Sequence, residues 1–224
     1  MKRWQFSLAL AGAALIAVLA GFATVAVLPK AGGRFHGTTY ETVAPAADFR
    51  LTDHEGRPVT LESYRGKPVL LFFGYTHCPD VCPLTLAKLS RVLRALGDDA
   101  RDVRVLLVTV DPARDTPAAL KAYVARFGPR VSGLTGDSAS LARAWEGYGA
   151  YVAPQPAPAA ATNGAHAGDA HGGHGAAARP RTDAAVAHSG VIYGIDRKGN
   201  LQVVISDAAT EEETRDDVRT LARL

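Results

Sequence analysis

The sequence predicts an α/β fold: a mixed sheet flanked by helices, preceded by an N-terminal transmembrane helix. Three observations carry that expectation. Two continuous apolar runs of strand length, residues 68–75 and 103–110, read as central strands buried on both faces. Segments with apolar residues at helical spacing alternate with them, and a hairpin and a last helix follow. Ahead of all this, residues 6–28 form a run of 23 without a charge.

That run comes first in the chain. At helical rise it spans about 34 Å, enough to cross a bilayer core of roughly 30 Å. Lys2 and Arg3 precede it, so its first end stays in the cytoplasm and the chain after Lys30 is exported. A cleaved signal peptide would have a shorter apolar region and a small-x-small site, which Thr24-Val25-Ala26 matches poorly. Residues 1–30 are therefore expected to be a retained membrane anchor. No cysteine follows the run, which excludes a lipid-anchored N-terminus. Residues 31–47 show little periodicity and read as a linker to a single domain over 48–224.

Within that domain, residues 49–52 and 58–61 flank the turn-forming Asp53-His54-Glu55-Gly56 as a hairpin. The strand at 68–75 follows. Leu84, Leu86, Leu89, Val92, Leu93 and Leu96 then recur at helical spacing, with Gly97 as the stop. After the strand at 103–110, Thr116-Pro117 opens a helix carrying Leu120, Tyr123, Val124 and Phe127, ended by Gly128-Pro129. Residues 131–135 are a short strand, and Ser138 is expected to cap a helix through Leu141, Trp145 and Tyr148. Strands at 191–196 and 201–206 pair around Arg197-Lys198-Gly199-Asn200, and 210–224 is an amphipathic closing helix. This is the thioredoxin-like order of elements. Residues 153–185 interrupt it with an Ala-, Pro- and Gly-rich insertion whose composition cannot bury a core, so a surface loop is expected there.

Charge decides little. The formal net charge of +3 includes Lys2 and Arg3, and no basic stripe points to nucleic acid. Cysteine usage decides more. The chain has two cysteines, Cys78 and Cys82, at the junction between the 68–75 strand and the following helix. Residues four apart on a helix share a face with about 6 Å of rise between them, a spacing that permits a disulfide without demanding one. Thiols at a helix N-terminus gain thiolate character, and Pro83 fits the first helical turn. The pair can thus hold a soft metal or close into a disulfide. As a plain structural staple it would be poor, because a bridge enclosing three residues removes little unfolded-state entropy. In an oxidising space the thiols would close unless a metal or a thiol reductant intervenes.

The pair is embedded in specific context. Phe72-Phe73-Gly74-Tyr75-Thr76-His77-Cys78-Pro79-Asp80-Val81-Cys82-Pro83 is followed by Thr109-Val110-Asp111-Pro112-Ala113-Arg114-Asp115-Thr116-Pro117. Leu134-Thr135-Gly136 and His188-Ser189-Gly190-Val191-Ile192-Tyr193 come after. In this order, and over the whole of residues 48–224, the chain resembles the Sco/SenC family. The resemblance implies a membrane-tethered, thioredoxin-like copper metallochaperone that helps assemble the binuclear copper centre of cytochrome c oxidase. It maps copper ligands onto Cys78, Cys82 and His188, with a Cys78–Cys82 disulfide as the oxidised state. The chemistry agrees: thiolates suit Cu(I), and an imidazole completes a three-coordinate site that also accepts Cu(II). The implied partners are the oxidase copper-site subunit and a thiol reductant; the implied location is the bacterial inner (cytoplasmic) membrane, with the domain in the periplasm. The alternative is an enzyme, a thiol-disulfide oxidoreductase that reduces the oxidase cysteines, although such reductants usually carry CxxC and have no task for His188.

Other candidates weigh less. His77 would point away from Cys78 in an extended segment and reads as a surface or supporting group, while His36 and His54 receive no role. Asp80 is expected to cap the helix, Asp111 to cap or to support the copper loop, and Arg114 and Asp115 to stabilise the turn at Pro112. His166, His171 and His174 lie in the insertion, where the family has a shorter connection. There they form a possible auxiliary, low-affinity metal site.

Overall fold

In the computed structural model, residues 35–150 and 190–224 are described, and they form one α/β unit. Its strands are β1 (Ala44–Pro45), β2 (Arg50–Asp53), β3 (Pro58–Thr60), β4 (Val69–Gly74), β5 (Arg104–Thr109), β6 (Val131–Thr135), β7 (Val191–Ile195) and β8 (Asn200–Ser206). The helices are α1 (Val81–Leu96), α2 (Pro117–Val124), α3 (Ser138–Gly147) and α4 (Glu211–Ala222). Among the described residues the strands form one mixed sheet in the order β1-β8-β7-β4-β5-β6-β2-β3. The predicted membrane span lies outside the described residues; within them, no helix is long and apolar enough to cross a membrane.

The sheet centre follows from the two apolar runs. Every residue of β4 is buried, and β4 pairs parallel with β5 on one side and antiparallel with β7 on the other. Neighbouring β5 and β6 are also parallel, as strands joined by crossover helices must be. Because side chains alternate along a strand, the two faces of β4 do different jobs. Phe72 and Gly74 face α1, where Cys82 lies. Phe73 faces the other way, its ring 5.7 Å from that of Tyr148 at the end of α3 and 5.9 Å from that of Tyr193 on β7. On the first face α1 packs against α4, and the turn after α2 is tied to α1 by the Ser90 hydroxyl, which donates to the carbonyl of Phe127 at 2.8 Å.

Element ends follow their local chemistry. Gly97 closes α1 in the left-handed region (φ 53°), its N–H bonded to the carbonyls of Arg94 and Leu93. Thr116 caps α2 with Pro117 in its first turn. Thr210 and Glu213 form a reciprocal capping box on α4. One cap differs from expectation: Asp137, not Ser138, accepts the N–H of Ser140 and caps α3. A carboxylate one residue earlier reaches the free N–H groups from an extended backbone, which Ser138, already helical, cannot do.

The segment expected as a linker is, over its described part, built into the sheet edge. Thr38 exchanges both backbone hydrogen bonds with Val204 (2.9 and 2.8 Å), and β1 pairs with β8. The N–H groups of His36 and Gly37 donate to the buried carboxylate of Asp217 on α4, at 2.6 and 3.0 Å. Described residues ahead of Asp48, from Phe35 on, are thus part of the folded unit.

Candidate metal centre

Parallel β4 and β5 end together at Gly74 and Thr109, and the loop Tyr75–Asp80 leaves the sheet there to start α1. This is the carboxyl edge of an α/β sheet, where helix N-termini and loops converge. Cys78, in the loop, is 8% exposed; Cys82, in the first turn of α1, is 0% exposed. They are not joined by a disulfide in the structure. The N–H of Cys82 donates to Sγ of Cys78 at 3.4 Å. The sulfur thus occupies the place of a helix cap: Asp80 stands at the N-cap position but makes no side-chain cap hydrogen bond. The capping role expected of Asp80 falls to Cys78.

Glycine sets how close the second thiol sits. A Cβ on Gly74 would lie 2.8 Å from Sγ of Cys82 and 2.9 Å from the Phe72 ring, so the sulfur rests directly over the bare backbone of β4. Burial pushes the Cys82 thiol well up, the nearby Cys78 adding to the rise and a backbone hydrogen bond from Tyr75 opposing it. Helix-end stabilisation alone would have made the Cys82 thiol more acidic. For Cys82, loss of solvent outweighs it.

A buried carboxylate fixes the loop. Asp115, 0% exposed, accepts from the Thr76 hydroxyl (2.6 Å), the Thr76 N–H (3.2 Å) and the Thr109 hydroxyl (2.6 Å). The Thr109 hydroxyl also accepts from the N–H of Asp111 at 2.9 Å. Asp115 therefore joins the thiol loop to the turn after β5, a wider role than stabilising that turn. Asp111 is equally buried; its Oδ2 accepts from Nε of Arg114, and its Oδ1 has no partner. The Tyr123 hydroxyl on α2 is likewise buried without a partner, and burial followed by the nearby Cys82 pushes it well up. A buried hydroxyl without a partner is a feature that its helical spacing, which reads as core, did not reveal.

The histidines separate clearly. His77 is exposed, its Nδ1 2.9 Å from the Thr76 hydroxyl. His54 accepts the N–H of Gly133 through Nδ1 at 3.2 Å and supports the β2–β3 turn. His36 lies in the edge segment beside Asp216, at 3.7 Å. His188, His166, His171 and His174 lie outside the described residues. Among the described residues no three His, Cys, Asp or Glu side chains converge as a metal cluster. The two thiols are the described part of the predicted donor set.

Fold and site together define a class: a thioredoxin-like domain with a dithiol spaced by three residues at the start of its first helix. The profile of the SCO1/SenC family matches residues 38–223, and the chain belongs to that family. Bradyrhizobium japonicum ScoI, solved with copper bound, is 38% identical, covers 80% of this chain and 99% of its own, and superposes with a TM-score of 0.61. Yeast Sco1, also solved with copper bound, is 29% identical with a TM-score of 0.63, over 78% of this chain and 86% of its own. The mitochondrial SCO2 homolog of Mus musculus is 45% identical over 111 residues, 49% of this chain and 44% of that protein. The matched region thus spans less than half the length of that relative.

Proposed function

We propose that this chain is a copper metallochaperone that binds copper through Cys78, Cys82 and His188 and supplies it to the copper-site subunit of cytochrome c oxidase. The observation that carries the reading is the dithiol: a loop thiol and a helix thiol linked by the Cys82 N–H to Cys78 Sγ hydrogen bond, both shielded from solvent, with Cys82 against the bare β4 backbone. Thiolates in such a dry, preformed setting favour a soft ion such as Cu(I) over water-loving cations. Strand β7 supports the third ligand. It runs antiparallel to β4, so its first residues enter at the edge where the thiol loop leaves. His188 precedes Gly190 by two residues, a reach of roughly 7 Å at most. The copper-bound relatives support the choice of metal.

On this reading residues 6–28 tether the domain to the bacterial cytoplasmic membrane, the domain works in the periplasm, and a thiol reductant keeps the pair open against a Cys78–Cys82 disulfide. The auxiliary donors His166, His171 and His174 gather copper when it is scarce. Deleting residues 154–181 then lowers loading at limiting copper and leaves the saturated stoichiometry intact; unchanged loading overturns that auxiliary role.

The main test is copper stoichiometry and X-ray absorption of the reduced full-length chain beside Cys78→Ala, Cys82→Ala and His188→Ala. About one copper per chain with sulfur and nitrogen donors is expected, and each variant loses affinity and its own donor signal. A His188→Ala chain that binds copper like wild type, with cysteine variants losing only reductase activity, overturns the assignment. The second reading, a thiol-disulfide oxidoreductase, is favoured by one observation: the more accessible Cys78 beside a buried Cys82 resembles an attacking and a resolving thiol.

A further inference from the structure

The hydrogen-bond chain beside the thiols assigns a task to His77. Both oxygens of the buried Asp115 carboxylate accept, and the shortest bond to Oδ1 comes from the Thr76 hydroxyl at 2.6 Å. That hydroxyl has a single proton, and it is committed to Asp115. At 2.9 Å from Nδ1 of His77, the Thr76 oxygen can therefore act only as acceptor, so Nδ1 carries the ring proton. Nε2 is left with its lone pair, on an exposed side chain adjacent in sequence to Cys78. A carboxylate-linked acceptor behind one ring nitrogen, fixing the tautomer and the ring orientation, is the arrangement that supports a metal-binding imidazole.

We propose that His77 is a hand-over ligand: it takes Cu(I) from a donor at the surface through Nε2 and passes it to Cys78 and Cys82. This rests on the copper reading above and adds a step to it. The two thiols are nearly or fully buried, so an incoming ion needs an accessible first ligand, and consecutive Cα atoms lie only about 3.8 Å apart. Copper stays Cu(I) throughout. The Nε2–Cu bond forms as the donor's bond breaks; the cysteine sulfurs then replace Nε2, and their protons pass to water. His77 does not join a three-donor cluster with the thiols, which suits a transient ligand rather than a resident one.

Two readouts on the full-length chain test this. In the reduced, copper-free, 15N-labelled protein, long-range 1H–15N correlation is expected to show His77 protonated at Nδ1, with Thr76→Val returning the ring to the Nε2–H form. In stopped-flow transfer from a Cu(I)–bicinchoninate complex, His77→Gln, which leaves the Thr76–Asp115 pair in place, is expected to slow capture about 10-fold with unchanged final stoichiometry. An Nε2–H ring in the wild type, or equal capture rates for wild type and His77→Gln, overturns the hand-over role alone. A wild-type chain that takes no copper overturns both readings.

Discussion

Gly74, under the Cys82 sulfur, and the buried Tyr123 hydroxyl on α2 predict opposite responses to a single methyl or hydroxyl. A methyl on Gly74 meets Sγ of Cys82 and the Phe72 ring inside contact distance, against a β4 backbone held by ladders on both sides. Gly74→Ala should destabilise the fold by about 1–3 kcal/mol in urea unfolding and displace Cys82, weakening copper retention along with it. Tyr123→Phe removes a buried hydroxyl that has no partner, so the copper-free protein should become more stable by up to about 1 kcal/mol. A loss of stability there would mean that the hydroxyl is paired in solution. Cys78 and Cys82 were legible in the sequence because their spacing at a strand-to-helix junction is itself a chemical statement. Tyr123 was not, since a helical tyrosine at core spacing looks the same whether its hydroxyl reaches solvent or is buried without a partner. The Asp115–Thr76 link was hidden for another reason: it joins residues 39 apart.

At the scale of elements, long apolar runs and capped helices were readable because each satisfies its backbone locally. The edge segment before β2 was not, because its partners are remote: Asp217 lies 181 residues from His36. Two N–H groups converge on that single carboxylate, and Gly37 fits only because a Cβ there would lie 2.7 Å from the Val204 carbonyl and 2.7 Å from the Val203 side chain. The contact fastens His36 and Gly37 to α4 and the β8 edge. Asp217→Ala should cost roughly 2–3 kcal/mol, since it strands two donors and vacates a fully buried site. Hydrogen exchange should then accelerate at His36, Gly37 and Thr38 while the β4–β5 amides stay protected. Uniform acceleration through the sheet would instead make the segment part of the cooperative core.

Across the whole molecule, the same carboxylate device recurs toward the two ends of the sheet. In the β2–β3 turn, Oδ1 of Asp53 accepts from the N–H groups of Glu55 and Arg57, both at 2.9 Å; in the β7–β8 turn, Oδ1 of Asp196 accepts from Lys198 and Asn200 at 2.8 and 2.9 Å. Burial alone would raise both carboxyls, but the hydrogen bonds outweigh it, with Arg57 pairing to Asp53 and Gln202 donating to Asp196, and both fall below their ordinary value. The linkage sign follows. A carboxyl whose folded value is depressed adds stability that is fully present above the unfolded value of about 3.9 and is lost as pH falls through the lower folded value. The copper-free domain should therefore lose stability progressively below about pH 4, both sheet ends contributing. Asp53→Asn with Asp196→Asn keeps an acceptor oxygen but no titratable group, so the double variant should be less stable at neutral pH and show a flatter acid limb in urea unfolding from pH 7 to pH 2. An acid limb as steep as wild type would locate the acid sensitivity elsewhere, in the thiol loop rather than at the sheet margins. The two origins differ in consequence: loosened margins leave the dithiol pocket closed until global unfolding, whereas a loosened loop would expose Cys78 and Cys82 first. Thiol labelling across the same pH series separates them.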